Sequence, residues 1–370
     1  MDLNTYQRSQ NYIINSQKQA KLNNMKNLKL LLILLTAFSS LFSCSKGIDP
    51  VKTKEMDLKE SSRFVSKTVV PGKVVVGYVP SWGNVQSIMD NTDLTILTHI
   101  NIAFFSPNSS GVMISGGQPV CSDATTSEIN YIVTKSHQNG VKVLASLAGG
   151  VVPNCSGNMA TLLQPANRAN LISNLVAFAN YYNLDGIDID IEGSTLTTIK
   201  NAGNYVPFVQ ELRAALNPLG KLVTAASAGY TSGMIPSQSF QYLDFVHIMS
   251  YDNNWGEAGN HSTYADALVH IKRFLDQGCA ASKLTLGLPF YGYLGNVGTG
   301  TYTFFKTIVS LYPAAAYVDT YAGYKYNGIT AIEAKTRYAS LHIAGVMIWE
   351  LSQDAPDTLS LLQAVGREIN

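Results

Sequence analysis

Residues 184–192 read Leu184-Asp185-Gly186-Ile187-Asp188-Ile189-Asp190-Ile191-Glu192. Strand side chains alternate between faces, so Ile187, Ile189 and Ile191 point one way and Asp188, Asp190 and Glu192 the other. The isoleucines suit packing beneath a layer of helices. Working outward, short apolar or β-branched runs recur at 73–79, 98–105, 141–147, 222–226, 245–251, 284–288 and 345–349. Near-continuous runs of this length suit parallel strands covered on both faces. Helical spacing separates several of them: Leu171, Leu175, Phe178 and Tyr182; Phe208, Leu212 and Ala215, bounded by Pro207 and Pro218; Leu268, Ile271 and Leu275 before Gly278; Leu359, Leu362 and Ile369. Eight strands alternating with helices predict a (β/α)8 TIM barrel. An open doubly wound sheet would want a glycine-rich nucleotide loop after its first strand, and Gly77-Tyr78-Val79-Pro80 is not one.

In a barrel the three acids project inward, with Glu192 at the C-terminal mouth where barrel active sites lie. Neighbours in that row are roughly 6.6 Å apart along the strand. Repulsion and desolvation in such an interior raise at least one pKa and leave a proton to donate. A calcium strand is the competing reading, but calcium favours flexible loops that supply many oxygens. Composition narrows the field further. Lys plus Arg, 26, against Asp plus Glu, 25, gives a formal net charge of +1, which offers a polyanion such as nucleic acid no attraction. Apolar residues make up 46% and charged residues 14%, so the chain as a whole is not a disordered one. Four cysteines without CxxC spacing and six scattered histidines without HExxH predict no metal site, and nothing points to a cofactor.

The N-terminal region reads as an address. Residues 1–24 are polar and lack periodicity, and read as an over-extended start. Lys26 and Lys29 then precede an apolar run from Leu30 to Phe42 that is too short for a comfortable membrane span. Leu41-Phe42-Ser43-Cys44 resembles a bacterial lipobox, with Cys44 as the lipidated residue. The expected organisation is a leader and signal at 1–43, a lipidated Cys44 with a flexible tether at 44–71, and the barrel at 72–370. The protein is expected to act outside the bacterial cytoplasm, held to a membrane by its lipid alone, as a monomer.

The stretch Asp185–Glu192 resembles the DGxDxDxE signature of glycoside hydrolase family 18, the chitinase and endo-N-acetylglucosaminidase family. The resemblance extends over 73–354, with KVVVGYVPSW, THINIAFF, KVLASLAGG, HIMSYD, KLTLGLPFYG and GVMIWELSQD in the family's order. It implies that Glu192 protonates the glycosidic oxygen while the substrate's own 2-acetamido carbonyl attacks C1, outside the two-carboxylate scheme. By the same resemblance Asp190 would bind the acetamido N–H, and Asp188 would share a proton with Asp190. Tyr251 would donate to the acetamido oxygen, Asp252 would reach the sugar, and Trp349 would floor the cleaved subsite. Tyr78, Phe104 and Met249 would line the pocket, although plain barrel core explains these three equally well. The expected partner is a polysaccharide or glycan containing N-acetylglucosamine.

Departures from the family pattern shape further expectations. The third strand ends Ser146-Leu147-Ala148-Gly149-Gly150-Val151, one glycine and one aromatic short, which weakens a role for Ser146 beneath Asp188. Trp255 offers a platform on the product side. The segment between the seventh and eighth strands is short for a full α+β insertion, so a shallow, open cleft is expected. The tyrosines at 317, 321, 324 and 326 read as packing under a long loop rather than as sugar platforms. Cys121 and Cys155, on neighbouring loops in an oxidising compartment, are candidates for a disulfide, and Cys279 for a buried thiol. The function expected is endo-acting hydrolysis of β-1,4-N-acetylglucosamine linkages in chitin or its oligomers. Cleavage of N-glycan chitobiose cores, or glycan binding by a catalytically weak barrel, are the alternatives.

Overall fold

A computed structural model describes residues 72–369. The leader, Cys44 and the tether lie outside the described residues. Eight parallel strands close into a barrel. They are β1 (Val74–Pro80), β2 (His99–Phe105), β3 (Lys142–Gly149), β4 (Gly186–Ile191), β5 (Leu222–Ala228), β6 (Phe245–Met249), β7 (Leu284–Pro289) and β8 (Gly345–Trp349). Each strand pairs with its sequence neighbours, and β8 closes on β1 through Val74↔Gly345 to Gly77↔Ile348. The eight expected runs thus become the eight staves, to within a few residues at either end.

The three isoleucines of β4 are buried in the main apolar layer with Leu171, Leu175 and Phe178 of the helix Pro165–Tyr181. In the helix Tyr264–Asp276 the inward face is Ala267, His270, Ile271 and Phe274, while Leu275 is exposed. The expected stripe there was therefore rotated: Leu268 is half-buried, and an imidazole occupies a position on the covered face.

Between β7 and β8 the chain is short, as expected, yet it is not a plain loop. It folds into a four-stranded antiparallel sheet (Tyr291–Leu294, Thr301–Phe304, Thr320–Tyr321, Tyr324–Lys325) with the helix Phe305–Leu311. Tyr291 and Tyr293 on its first strand are buried against Tyr251 and Trp349, so this compact insertion forms one wall of the cleft. Of the four tyrosines read as packing, Tyr326 is fully buried, whereas Tyr317 and Tyr321 are exposed. Cys121 and Cys155 are joined in a disulfide with a Cα–Cα distance of 5.6 Å, and Cys279 is a buried free thiol whose pKa burial pushes up to about 11. Among the described residues no helix is long and apolar enough to cross a membrane, and no group of His, Cys, Asp or Glu is placed to hold a metal.

Candidate active site

Strand register builds the site from beneath. Asp188 lies between Ser146 on β3 and Thr224 on β5. Its Oδ2 accepts hydroxyl donors from Tyr78 at 2.7 Å and Ser146 at 2.8 Å, and its Oδ1 accepts from Thr224 at 2.6 Å. Ser146 therefore does support Asp188, contrary to the weakened expectation: the missing glycine alters the strand end, not the layer in which Ser146 sits. Tyr78 is a direct partner of Asp188 rather than pocket lining alone. His247 adds an imidazole Nε2 at 3.6 Å from Asp188 Oδ1, and its Nδ1 lies 2.8 Å from the Thr285 hydroxyl. Burial holds the His247 pKa below its usual value, so neutral imidazole is favoured there.

One step toward the mouth, Asp190 is buried, and its Oδ1 has no hydrogen-bond partner among the described residues. Burial first, then the charges of Glu192 and Asp188, raise its pKa well above the carboxylate range. Asp188 is thus met by three donors, whereas Asp190 has none at its Oδ1. Glu192 follows the strand at the rim. Burial, and then the charge of Asp252, push its pKa up to about 7. Gly150 at the end of β3 leaves room for it, since a Cβ there would come within 2.9 Å of Glu192 Oε1.

Tyr251 and Asp252 follow β6. The Tyr251 ring passes over Gly287, where a Cβ would meet its Cε1 at 2.8 Å. Burial and the charges of Asp190, Glu192 and Asp252 keep its hydroxyl protonated, and so a donor. Asp252 adopts a left-handed backbone with φ 56°. Its Oδ1 accepts from the hydroxyls of Tyr291 at 2.7 Å and Tyr293 at 3.0 Å.

Trp349 forms the floor of the aromatic pocket. It stacks on Phe104 at 5.5 Å between ring centroids, meets Tyr78 edge-on at 5.3 Å, and lies 6.3 Å from Trp82. Met249, Phe104, Tyr251 and Trp349 pack on the same apolar cluster as Tyr78 and Met347. The structure thus gathers nine of the ten sequence-derived site residues in and just beyond the barrel strands as one cluster: Asp188, Asp190, Glu192, Tyr251, Asp252, Tyr78, Phe104, Met249 and Trp349. Trp255 stands apart. It is 64% exposed, and its indole lies over Gly298 of the insertion.

Sequence reasoning missed Thr224, His247, His261, Tyr291, Tyr293 and Trp82. Trp82 follows β1 within the stretch already singled out, so a platform could have been sought there. The others are recognisable only through register or through loop closure.

A family model for glycosyl hydrolases family 18 matches residues 74–354. A family 18 chitinase from the chitin utilization locus of Flavobacterium johnsoniae is 31% identical with a TM-score of 0.71, over 80% of this chain and 94% of that one. A chitinase from Bacteroides thetaiotaomicron is 28% identical with a TM-score of 0.67, over 80% of this chain and 96% of that one. "Probable chitinase 2" of Drosophila melanogaster is 31% identical over 251 residues, 60% of this chain and 50% of that protein. The endochitinase of Manduca sexta is 27% identical over 205 residues, 47% of this chain and 37% of that protein. The chain thus matches half or less of the length of these two curated relatives. The family match runs from the first residue of β1 to beyond β8 and takes in every acid of the site, and the chain belongs to the glycosyl hydrolases of family 18.

Proposed function

We propose that the protein hydrolyses β-1,4 linkages between N-acetylglucosamine units, cutting within chitin or its oligomers by a substrate-assisted, retaining route. The observation that carries this reading is Glu192: a carboxyl with its pKa near 7, set at the mouth above a buried acid pair and beside the protonated Tyr251. Such a group holds a proton at mildly acidic pH and can release it to a leaving oxygen.

The steps follow from the residues. Glu192 gives its proton to the glycosidic oxygen as the C1–O bond breaks. The acetamido oxygen of the same sugar forms a bond to C1, and positive charge develops on the acetamido nitrogen. Asp190 accepts that N–H while its own proton passes toward Asp188, and Tyr251 donates to the acetamido oxygen to orient it. Water then adds to C1 from the side the leaving group vacated and returns a proton to Glu192, opening the five-membered ring with the β-configuration kept.

Chitin is favoured over an N-glycan core because the relatives at 28–31% identity are chitinases by name. Hydrolysis of N-acetylglucosamine oligomers beside a high-mannose glycoprotein, with Glu192→Gln as control, tests the function. Cleavage of the glycoprotein alone would select the chitobiose reading, and oligomer binding without cleavage by the native chain would select the lectin. Early-time NMR should show the β-anomer first, and fully deacetylated chitosan should resist. An α-anomer as first product would exclude the route.

The protein is further proposed to reach its substrate from a membrane surface, anchored through a lipid on Cys44. The support is the basic, apolar, small-residue run that ends at this cysteine. Cys44→Ala should release the protein from the membrane fraction. A soluble native protein carrying a different N-terminus would overturn the anchor.

A further inference from the structure

Between β6 and the helix Tyr264–Asp276 the chain folds back on itself. Asn260-His261-Ser262 lies against Ser250–Asn253 and is tied to it by three hydrogen bonds. The Ser262 hydroxyl donates to the Ser250 carbonyl at 2.6 Å, and the Asn253 N–H donates to the His261 carbonyl at 3.0 Å. The Asp252 N–H reaches His261 Nδ1 at 3.2 Å, and the same nitrogen lies 3.2 Å from Asp252 Oδ1. His261 Nε2 faces the Tyr291 carbonyl at 3.2 Å, so its own proton is placed there. A left-handed aspartate persists only where its surroundings over-determine it, and this loop supplies that constraint.

The loop itself rests on Lys335 of the helix Ile329–His342. Lys335 is fully buried. Its ammonium donates to the Ser262 carbonyl at 2.8 Å, the Ser262 hydroxyl oxygen at 2.8 Å and Asn327 Oδ1 at 2.6 Å. Asn327 Nδ2 donates to the same Ser262 carbonyl at 2.7 Å. An ammonium has three N–H donors, and all three are used. Two of them converge on one residue, the one that grips the backbone just before Tyr251. Asp319 and Asp266 act on the ammonium only at a distance, and burial dominates its environment. A buried cation is costly to keep, and a neutral side chain would suffice to pack a helix. The acceptors explain why a lysine stands there: a hydroxyl and a carbonyl on one turn need a donor with several directions.

We propose that Lys335 is a positioning residue for the hydrolytic site. By fixing Ser262 it holds the backbone before Tyr251 and, through the adjoining His261, whose Nδ1 accepts from the Asp252 N–H, the backbone that presents the Asp252 carboxylate. The proposal rests on the hydrolase reading given above, but its test separates the two. The groups that bear on Glu192 are Asp190 on its own strand and Tyr251 and Asp252 after β6; those facing Asp252 are His261, Tyr291 and Tyr293. Asp252 raises the pKa of Glu192, so an Asp252 that has lost its anchor should let that pKa fall.

The test compares the full chain with Lys335→Met, Ser262→Ala, Asp252→Ala and the Lys335→Met/Asp252→Ala pair. Expected for Lys335→Met is a kcat about tenfold to a hundredfold lower, the scale of loss from a small misplacement of reacting groups. The alkaline limb of the kcat/KM profile should move to lower pH, and the double variant should move it no further than Asp252→Ala alone. Ser262→Ala, which removes one hydroxyl, should shift the limb the same way and decides the matter if Lys335→Met does not fold. A folded variant with lowered melting temperature but an unmoved limb, or additive shifts in the pair, would overturn the proposal. Carboxyl 13C NMR of Glu192 reads the same shift without turnover, so an inactive native chain would sink the hydrolase reading and leave this one decidable.

Discussion

Glu192 and Asp190 show how one strand makes two different acids. Both are raised by burial, but Asp190 lies between two carboxyl neighbours, whose charges raise it further. Glu192 is raised by burial and by Asp252, to about 7. If the proposed route operates, the native protein should lose kcat/KM as pH rises through about 7, because the proton donor empties. Glu192→Gln should cut turnover by several orders of magnitude while oligomer binding by calorimetry is retained. Asp190→Asn should also slow the reaction strongly, since in the proposed route it holds charge on the acetamido nitrogen. Wild-type-like turnover in either variant would remove that residue from the chemistry.

At the scale of elements, the site depends on strand ends that lack side chains. Gly287 of β7 lies beneath the Tyr251 ring, and a Cβ at this position would sit 2.4 Å from the Ile248 carbonyl oxygen of β6, 2.8 Å from Tyr251 Cε1 and 3.2 Å from Met347 Cε. Gly287→Ala must displace the β6 backbone at Ile248 as well as that ring, and overpacking of this kind costs about 1–3 kcal/mol. A lower melting temperature together with at least a tenfold fall in kcat is expected; a fall in stability alone would show that Tyr251 tolerates the shift. The loop after β3 is held by a different device. The Cys121–Cys155 bridge spans a sequence separation of 34 residues. A loop of that size limits the unfolded chain by about 3–4 kcal/mol. Cys121→Ser/Cys155→Ser should lower the unfolding free energy by up to that amount in denaturant titration, with kcat nearly unchanged because neither sulfur is part of the acid row.

At the scale of the whole barrel, two buried titrations, those of Glu192 and Lys335, act in opposite senses. Glu192 has its folded pKa raised from 4.5 to about 7, so the native state binds the extra proton between those values and stability falls as pH rises through them. Lys335 has its folded pKa lowered from 10.5 to about 7, so the unfolded state binds the extra proton above 7 and stability rises with pH from there toward 10.5. Together they contribute a minimum of stability near neutral pH. Melting temperature across pH should show Glu192→Gln flattening the acid-side fall and Lys335→Met the alkaline-side rise; unchanged curves would remove these groups as its source.

What the sequence determined by itself was local in origin. The period of two in 184–192 and the apolar runs around it specify strands and their faces within a few residues, because alternation is a property of the extended chain. From that alone came the barrel, the inward row Asp188-Asp190-Glu192, and, with the family likeness, Tyr251 and Trp349. The tertiary structure alone decided which groups meet those acids. Tyr78, Ser146 and Thr224 converge on Asp188 from three other strands, a matter of barrel register that no single strand encodes. The compact sheet at Tyr291–Lys325 takes its form from pairing across turns, and through Tyr291 and Tyr293 it holds Asp252. Lys335 reaches Ser262 over a separation of 73 residues. Such contacts depend on how the chain closes on itself, and closure leaves no periodic mark in the sequence for a reader to find.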